Sequence, residues 1–318
     1  MVNMEIKNQT EIAEFILLGF GDLQDLQIPL FLLFLLIYIV TMAGNLLIVL
    51  LIVADRHLHT PMYFFLGNLS CLEVCYSSTI LPRMLASFLS SNTNIFIRMC
   101  IMQYFFFGGL AGTECYLLSV MSYDRYLAIC KPLHYAVLMN SRTCRHLACV
   151  SWLNGFFASA MVTSLMSQLI FCGPNIINHF FCDSSPVLKL SCSDTLLISM
   201  LIFFLSSAFT LPPFLLTLTS YVCIISKILR ISSVAGRQKT FSTCSTHLVV
   251  VTIFYGTLTV VYVLPEAQEL INLNKVFSVC YTILTPLVNP LIYSLRNREV
   301  KEALRRVLQK CQTCNDQK

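Results

Sequence analysis

Charge is what this 318-residue chain has least of. Lys, Arg, Asp and Glu make up 12% of it, 56% is hydrophobic, and the mean hydropathy is +0.73. A soluble protein carries roughly 25% charged residues, so a soluble globular domain is excluded and an integral membrane protein is left. No cleavable signal peptide is expected, because residues 1–27 are polar and acidic rather than basic and then apolar. The first apolar segment is therefore expected to target the chain to the membrane. There is no His-Glu-x-x-His and no Gly-x-Ser-x-Gly, which removes two common enzymatic constellations. Four of the six histidines (His57, His59, His134, His146) flank short loops as polar residues at a membrane edge. Internal repeats are absent, against the habit of transporters, although Glu73 and Glu114 would be the residues of a proton relay.

What is present is seven apolar segments, each near the ~20 residues that cross a bilayer. They fall at 28–54, 61–84, 97–130, 143–165, 196–227, 239–264 and 273–294, joined by short loops except for 166–195. The expected fold is all-α: one seven-transmembrane helix bundle over 28–294, preceded by a tail at 1–27 and followed by a short amphipathic helix and tail at 295–318. With the N-terminus outside, sixteen Lys and Arg fall on the inner side and five on the outer. That imbalance sets the orientation and ascribes the net charge of +5 to membrane asymmetry, not to nucleic-acid binding. Asn8-Gln9-Thr10 is then an outward-facing glycosylation acceptor, Asn8, whereas Asn68-Leu69-Ser70 is buried in an apolar run and is a chance match.

Most of the fifteen cysteines lie in apolar runs, where thiols behave as small hydrophobes. Cys100, Cys172, Cys182 and Cys192 stand on the outer side and allow three disulfide pairings, among which position alone does not choose. Cys311 and Cys314 sit in the reducing inner tail, where palmitoylation or no role at all outweighs metal binding.

The third segment ends in MSYDRYLAICKPLHY, residues 121–135, an Asp124-Arg125 pair at the edge of hydrocarbon. From Cys100 to Arg125 a helix rises roughly 37 Å, so it ties an outer cysteine to an inner charge pair. Glu114 lies about 17 Å above Arg125, near mid-membrane. Together with Glu73, Asn45 and Asn289 it forms a set of intramembrane polar groups able to hold a cation or share a proton. Gly108 and Gly112 either pack helices closely or leave a cavity framed by Phe107. Ser206 and Phe209 on helix five, and Tyr255, Thr259 and Tyr262 on helix six, suit a small apolar ligand. Pro212-Pro213 should break the fifth helix.

Five stretches carry a resemblance to olfactory receptors, a branch of the rhodopsin-like G-protein-coupled receptors. They are Gly44-Asn45, LHTPMYFFLGNLS at 58–70, MSYDRYLAICKPLHY, KTFSTCSTHL at 239–248 and PLVNPLIYSLRN at 286–297, in that order. FCGPNIINHFFCDSSPVLKLSCSD at 171–194 is similar to the family's second outer loop. Departures are small: Glu73 stands where Asp is commoner and Val288 where Leu is.

The resemblance implies Cys100–Cys182 and Cys172–Cys192 disulfides, no cofactor beyond an internal sodium site at Glu73, Glu114 and Asn289, and a ligand pocket of Phe107, Gly108, Ala111, Gly112, Ser206, Phe209, Tyr255, Thr259, Tyr262 and Thr282. It implies a switch in which Asp124 restrains Arg125, with Tyr126, Tyr221, Lys239, His247, Asn289, Pro290 and Tyr293 around it. The partners implied are a small odorant, a heterotrimeric G protein of the stimulatory type that raises cyclic AMP, and membrane lipids under the helix at 296–310. The place implied is the plasma membrane of olfactory cilia. A non-odorant metabolite sensed outside the nose is the alternative ligand.

Overall fold

A computed structural model describes residues 12–21, 26–90, 93–230, 233–262, 268–296 and 298–315. Asn8 lies outside them. The elements in chain order are β1 (Glu14–Leu17), α1 (Gln27–Ala54), a 3-10 turn (Arg56–Leu58), α2 (Pro61–Leu89), β2 (Asn94–Phe96), α3 (Ile97–Cys130) and α4 (Pro132–Leu138). Then come α5 (Ser141–Met166), β3 (Ile176–Ile177), α6 (Ser184–Leu188), α7 (Leu196–Leu229) and α8 (Val234–Tyr262). The last are α9 (Gln268–Val279), a π turn (Cys280–Leu284), α10 (Thr285–Arg296) and α11 (Arg298–Asn315).

Six helical stretches are long and apolar enough to span a bilayer, and α8 supplies a shorter apolar stretch, His247–Tyr262. The chain is a multi-pass membrane protein. The spans are α1, α2, α3, α5, α7, α8 and the compound α9–π–α10. Their ends obey local rules. Pro61 and Pro132 sit at first-turn positions, where a missing N–H is harmless, and Asn140 caps α5 by accepting from the amides of Arg142 and Thr143 at 3.0 Å. α7 differs from expectation: it runs unbroken through Pro212 and Pro213.

α3 is the axis, with α2, α5, α7 and α8 packed around it. Its approach to α5 is set by small residues. The Cα of Gly155 would lie 3.0 Å from a Cβ on Gly112, and a Cβ on Gly155 would collide with the backbone of Thr113 and Gly109. Lipid supplies no hydrophobic drive between helices, so such close approach and the dispersion it brings replace it.

At the Cys100 end the structure adds what the residue pattern did not announce, a three-stranded sheet in the order β2-β1-β3. β1 pairs antiparallel with β2 (Phe15 opposite Ile95) and parallel with β3 (Leu17 opposite Ile177). Phe15 and Leu17 are buried and Phe15 meets Phe171 edge-on at 5.0 Å, so residues 12–21 are a structured cap rather than a polar tail. At the opposite end, α11 turns Val300 and Ala303 into the bundle and leaves Leu308 exposed. Leu304 and Val307 pack against the same core, so most of the apolar side of this helix faces the protein.

Candidate functional site

Between α3, α5, α7 and α8 lies a cavity of about 100 Å³, nearer its Cys100 end than its Arg125 end. Seven of the ten expected pocket residues line it: Phe107, Gly108, Ala111, Gly112, Ser206, Phe209 and Tyr262. Three do not. Tyr255 is buried with its hydroxyl donating to the Cys115 carbonyl at 2.6 Å, beneath the cavity floor. Thr259 donates to the Tyr255 carbonyl at 2.7 Å, and Thr282 to the Ser278 carbonyl at 2.6 Å. A helical threonine that bonds back to its own turn has no hydroxyl proton left to donate to a ligand.

The residue pattern missed the whole α5 wall, Ala158, Ser159 and Val162, together with Tyr104 and Thr210. Its one available signal was small residues on the fourth segment. Ser159 is occupied, donating to the Phe105 carbonyl at 2.7 Å. The lining is apolar, with Ser206 and Thr210 one helical turn apart on α7.

Over the cavity sits the loop 167–195, tied to α3 by the Cys100–Cys182 disulfide and closed on itself by Cys172–Cys192. Asp183 caps α6 through the Ser184 amide and takes the Tyr262 hydroxyl on both carboxylate oxygens at 3.0 Å. Tyr262 also meets the Tyr281 hydroxyl at 3.1 Å, so the lid, α8 and the π turn share one polar knot. His179 is buried in the same loop. Burial first, and the nearby Lys275 second, lower its pKa to about 3, which keeps the ring neutral. Lys275 itself is engaged, donating to the Gly19 carbonyl and to Asn178.

At mid-bundle, Glu73, Glu114, Asn45 and Asn289 are all fully or almost fully buried. Asn289 donates to one Glu73 oxygen. Asn45 donates to the carbonyls of Thr41 and Pro286 at 3.1 and 3.2 Å. The other Glu73 oxygen, both Glu114 oxygens and the amide oxygens of Asn45 and Asn289 accept from no protein group. A cluster that offers acceptors and no cation suits a hard ion held by oxygen. The residues present therefore fit sodium, with Glu73, Glu114 and Asn289 as the side chains that would hold it. Among the described residues no three His, Cys, Asp or Glu side chains converge as a transition-metal site would need.

The Arg125 end departs from expectation in one respect. The carboxylate of Asp124 accepts from the Tyr135 hydroxyl at 2.9 Å, and no ion pair joins Asp124 to Arg125 among the described residues. The reason is angular. Adjacent residues on a helix point ~100° apart and do not face each other. Arg125 instead leaves one buried nitrogen without a partner. Beside it Tyr221 on α7 and His247 on α8 share a 2.5 Å hydrogen bond, and Ile224, Ile228 and Cys244 close an apolar seal. Tyr126 stacks on Tyr123 and lies 5.9 Å below the Lys131 ammonium. Pro290 lies within α10. The side chains of Lys239 and Tyr293 are outside the described residues.

Comparison with known proteins agrees with this architecture along almost the whole chain. The sequence model of the family described as "Olfactory receptor" matches residues 34–311. Human olfactory receptor 8H3 is 51% identical over 307 residues, 96% of this chain and 98% of the relative. Human olfactory receptor 6B1 is 49% identical over 304 residues, covering 96% and 97%. Mouse olfactory receptor 5AP2 is 49% identical over 302 residues, 95% of each chain. These relatives are receptors, not enzymes, and the seven-helix bundle with its capped cavity is therefore that of a member of the olfactory receptor family.

Proposed function

We propose that this chain is an odorant receptor that takes a small, neutral, mostly apolar molecule into the cavity between α3, α5, α7 and α8 and signals through a stimulatory G protein to raise cyclic AMP. The observation that carries the reading is the composition of that cavity: apolar walls, no Lys or Arg, and two hydroxyls on α7. A cavity of about 100 Å³ is smaller than the ~300 Å³ at which drug-sized sites begin. It suits a molecule of benzene's order, which occupies a 150 Å³ cavity in an engineered protein.

Signal transfer then needs a ligand that prefers one packing over another, since equal affinity shifts nothing. The element both ends share is α8. Its Cys100-end half carries Leu258 and Tyr262 on the cavity, and its other half carries Cys244 and His247 against Tyr221 and Arg125. Tightening of α8 on a ligand would lever its far half away from α7, part Tyr221 from His247, and open a cleft for the G-protein α subunit beside Arg125. In this reading the N-terminus and the disulfide loop face outward, and α11 lies against the cytoplasmic leaflet. A sodium ion at Glu73, Glu114 and Asn289 would supply countercharge to the resting packing.

The experiment is a cyclic AMP assay in cells expressing the chain, with surface expression proven by antibody, across a panel of neutral and ionic odorants. Concentration-dependent activation by neutral volatiles is expected. Activation restricted to charged ligands would overturn the ligand class, and silence of a surface-expressed receptor across the panel would overturn the odorant reading.

A further inference from the structure

Outside the cavity and the Arg125 switch, Asp55, in the turn between α1 and α2, is a covered carboxylate with both oxygens hydrogen-bonded. Its side chain is 6% exposed. One carboxylate oxygen accepts from the backbone amide of His57 at 3.1 Å and from its ring Nδ1 at 2.8 Å. The other accepts from both Nε and Nη2 of Arg306 at 2.8 Å, across 251 positions of sequence. A second polar contact runs parallel to it: Tyr63, in the first turn of α2, donates to Glu299 at 2.7 Å. Asp55 lies in the turn and Tyr63 on the helix that follows it, and between their α11 partners, Glu299 and Arg306, Val300 and Ala303 are buried.

The two His57 bonds hold Asp55 well below the ordinary carboxylate range, ahead of the contribution of Arg306. A carboxylate already fixed by its own turn is a preorganised acceptor, and Arg306 meets it without further ordering of the turn. An exposed ion pair of this kind would be worth little, but here the acid is covered. Leu308 is exposed on the same helix, so the apolar stripe of α11 is not fully used in holding it to the bundle.

We propose that Asp55 is a latch: it builds the α1–α2 turn and, through Arg306, fixes the C-terminal helix α11 in register against that turn. The latch acts whatever ligand the cavity takes. It links the turn between α1 and α2 to α11, on the same side of the bundle as Arg125, so that α11 is positioned by a protein contact and not by lipid alone.

The test is hydrogen–deuterium exchange on the purified full-length receptor in nanodiscs, with Arg306→Met and Asp55→Asn as separate variants. Arg306→Met keeps the apolar stem and removes only the guanidinium. Asp55→Asn keeps one oxygen for the His57 amide and puts an NH2 group, which cannot accept from a guanidinium, in place of the oxygen that takes Arg306. Exchange in a peptide spanning 298–309 should quicken about tenfold in both variants, the factor that a charge-assisted hydrogen bond supplies, with α3 peptides unchanged. Exchange in 298–309 that stays within about twofold of the parent in either variant would overturn the latch, leaving the apolar face as the sole anchor. Quickening spread over α3 as well would also overturn it, by making the pair a general stability element.

Discussion

Replacing Gly155 by Ala tests the packing on which the cavity rests. The added methyl would fall on the backbone nitrogen and hydroxyl of Thr113 and the carbonyl of Gly109, groups of α3 that cannot swing aside. Overpacking a closed site costs about 1–3 kcal/mol. The Thr113 hydroxyl also bonds the Gly109 carbonyl at 2.7 Å, and disturbing that bond adds about 1 kcal/mol. Ala regains about 1 kcal/mol of helix propensity over Gly, so the net loss is roughly 1–3 kcal/mol. The control is Gly256→Ala on α8, an exposed helical position with nothing within 4 Å of the added methyl. There only the propensity remains, and the variant should gain about 0.5–1 kcal/mol. The assay is thermal unfolding of both purified variants in detergent, followed through a dye that reports buried thiols. At roughly 2 °C per kcal/mol for a chain of this size, Gly155→Ala should melt a few degrees below the parent and Gly256→Ala slightly above it. If Gly155→Ala melts at or above the parent, the close α3–α5 approach is not a stability element and the argument from it fails.

Three further outcomes follow from the same contacts. His179 titrates near 3 in the folded loop against an ordinary ~6.5. The unfolded state therefore binds the extra proton, and stability present above pH ~6.5 is lost as the pH falls. Thermal unfolding at pH 7.5 and 5.5 should show about 1.4 kcal/mol lost in the parent and much less in His179→Gln; equal losses would remove His179 from that role. Tyr135→Phe and Asp124→Ala should both raise basal cyclic AMP, because each removes the Tyr135–Asp124 hydrogen bond; a rise with Asp124→Ala alone would locate the restraint elsewhere than Tyr135. Ser206→Ala should shift the potency of an activating ketone about tenfold while Thr259→Ala leaves it within threefold, since the Thr259 hydroxyl proton is already given to its own helix; the reverse order would move the polar contact from α7 to α8.

What sequence alone determined here is what the bilayer dictates. A span must satisfy its backbone internally and run about 20 apolar residues, so the third segment, 97–130, coincides with α3 and the others end within a few residues of their helices. The short motifs at 58–70, 121–135, 239–248 and 286–297 carried the family, because they are local strings that no packing rearranges. The tertiary structure decided whatever depends on rotation about a helix axis. Whether a residue faces a cavity, a neighbour or lipid is set by how closely two helices approach, and for α3 and α5 that distance hangs on Gly112 and Gly155, a pair that no local pattern links across 43 positions. Hence α5 lines the cavity unannounced while Tyr255, Thr259 and Thr282 turn away. The same holds for partners. The aspartate nearest Arg125 in sequence bonds Tyr135, and among the described residues the aspartate that holds an arginine is Asp55, whose partner lies at the other end of the chain. Adjacency along a helix separates side chains by ~100°, and only the fold brings distant ones together.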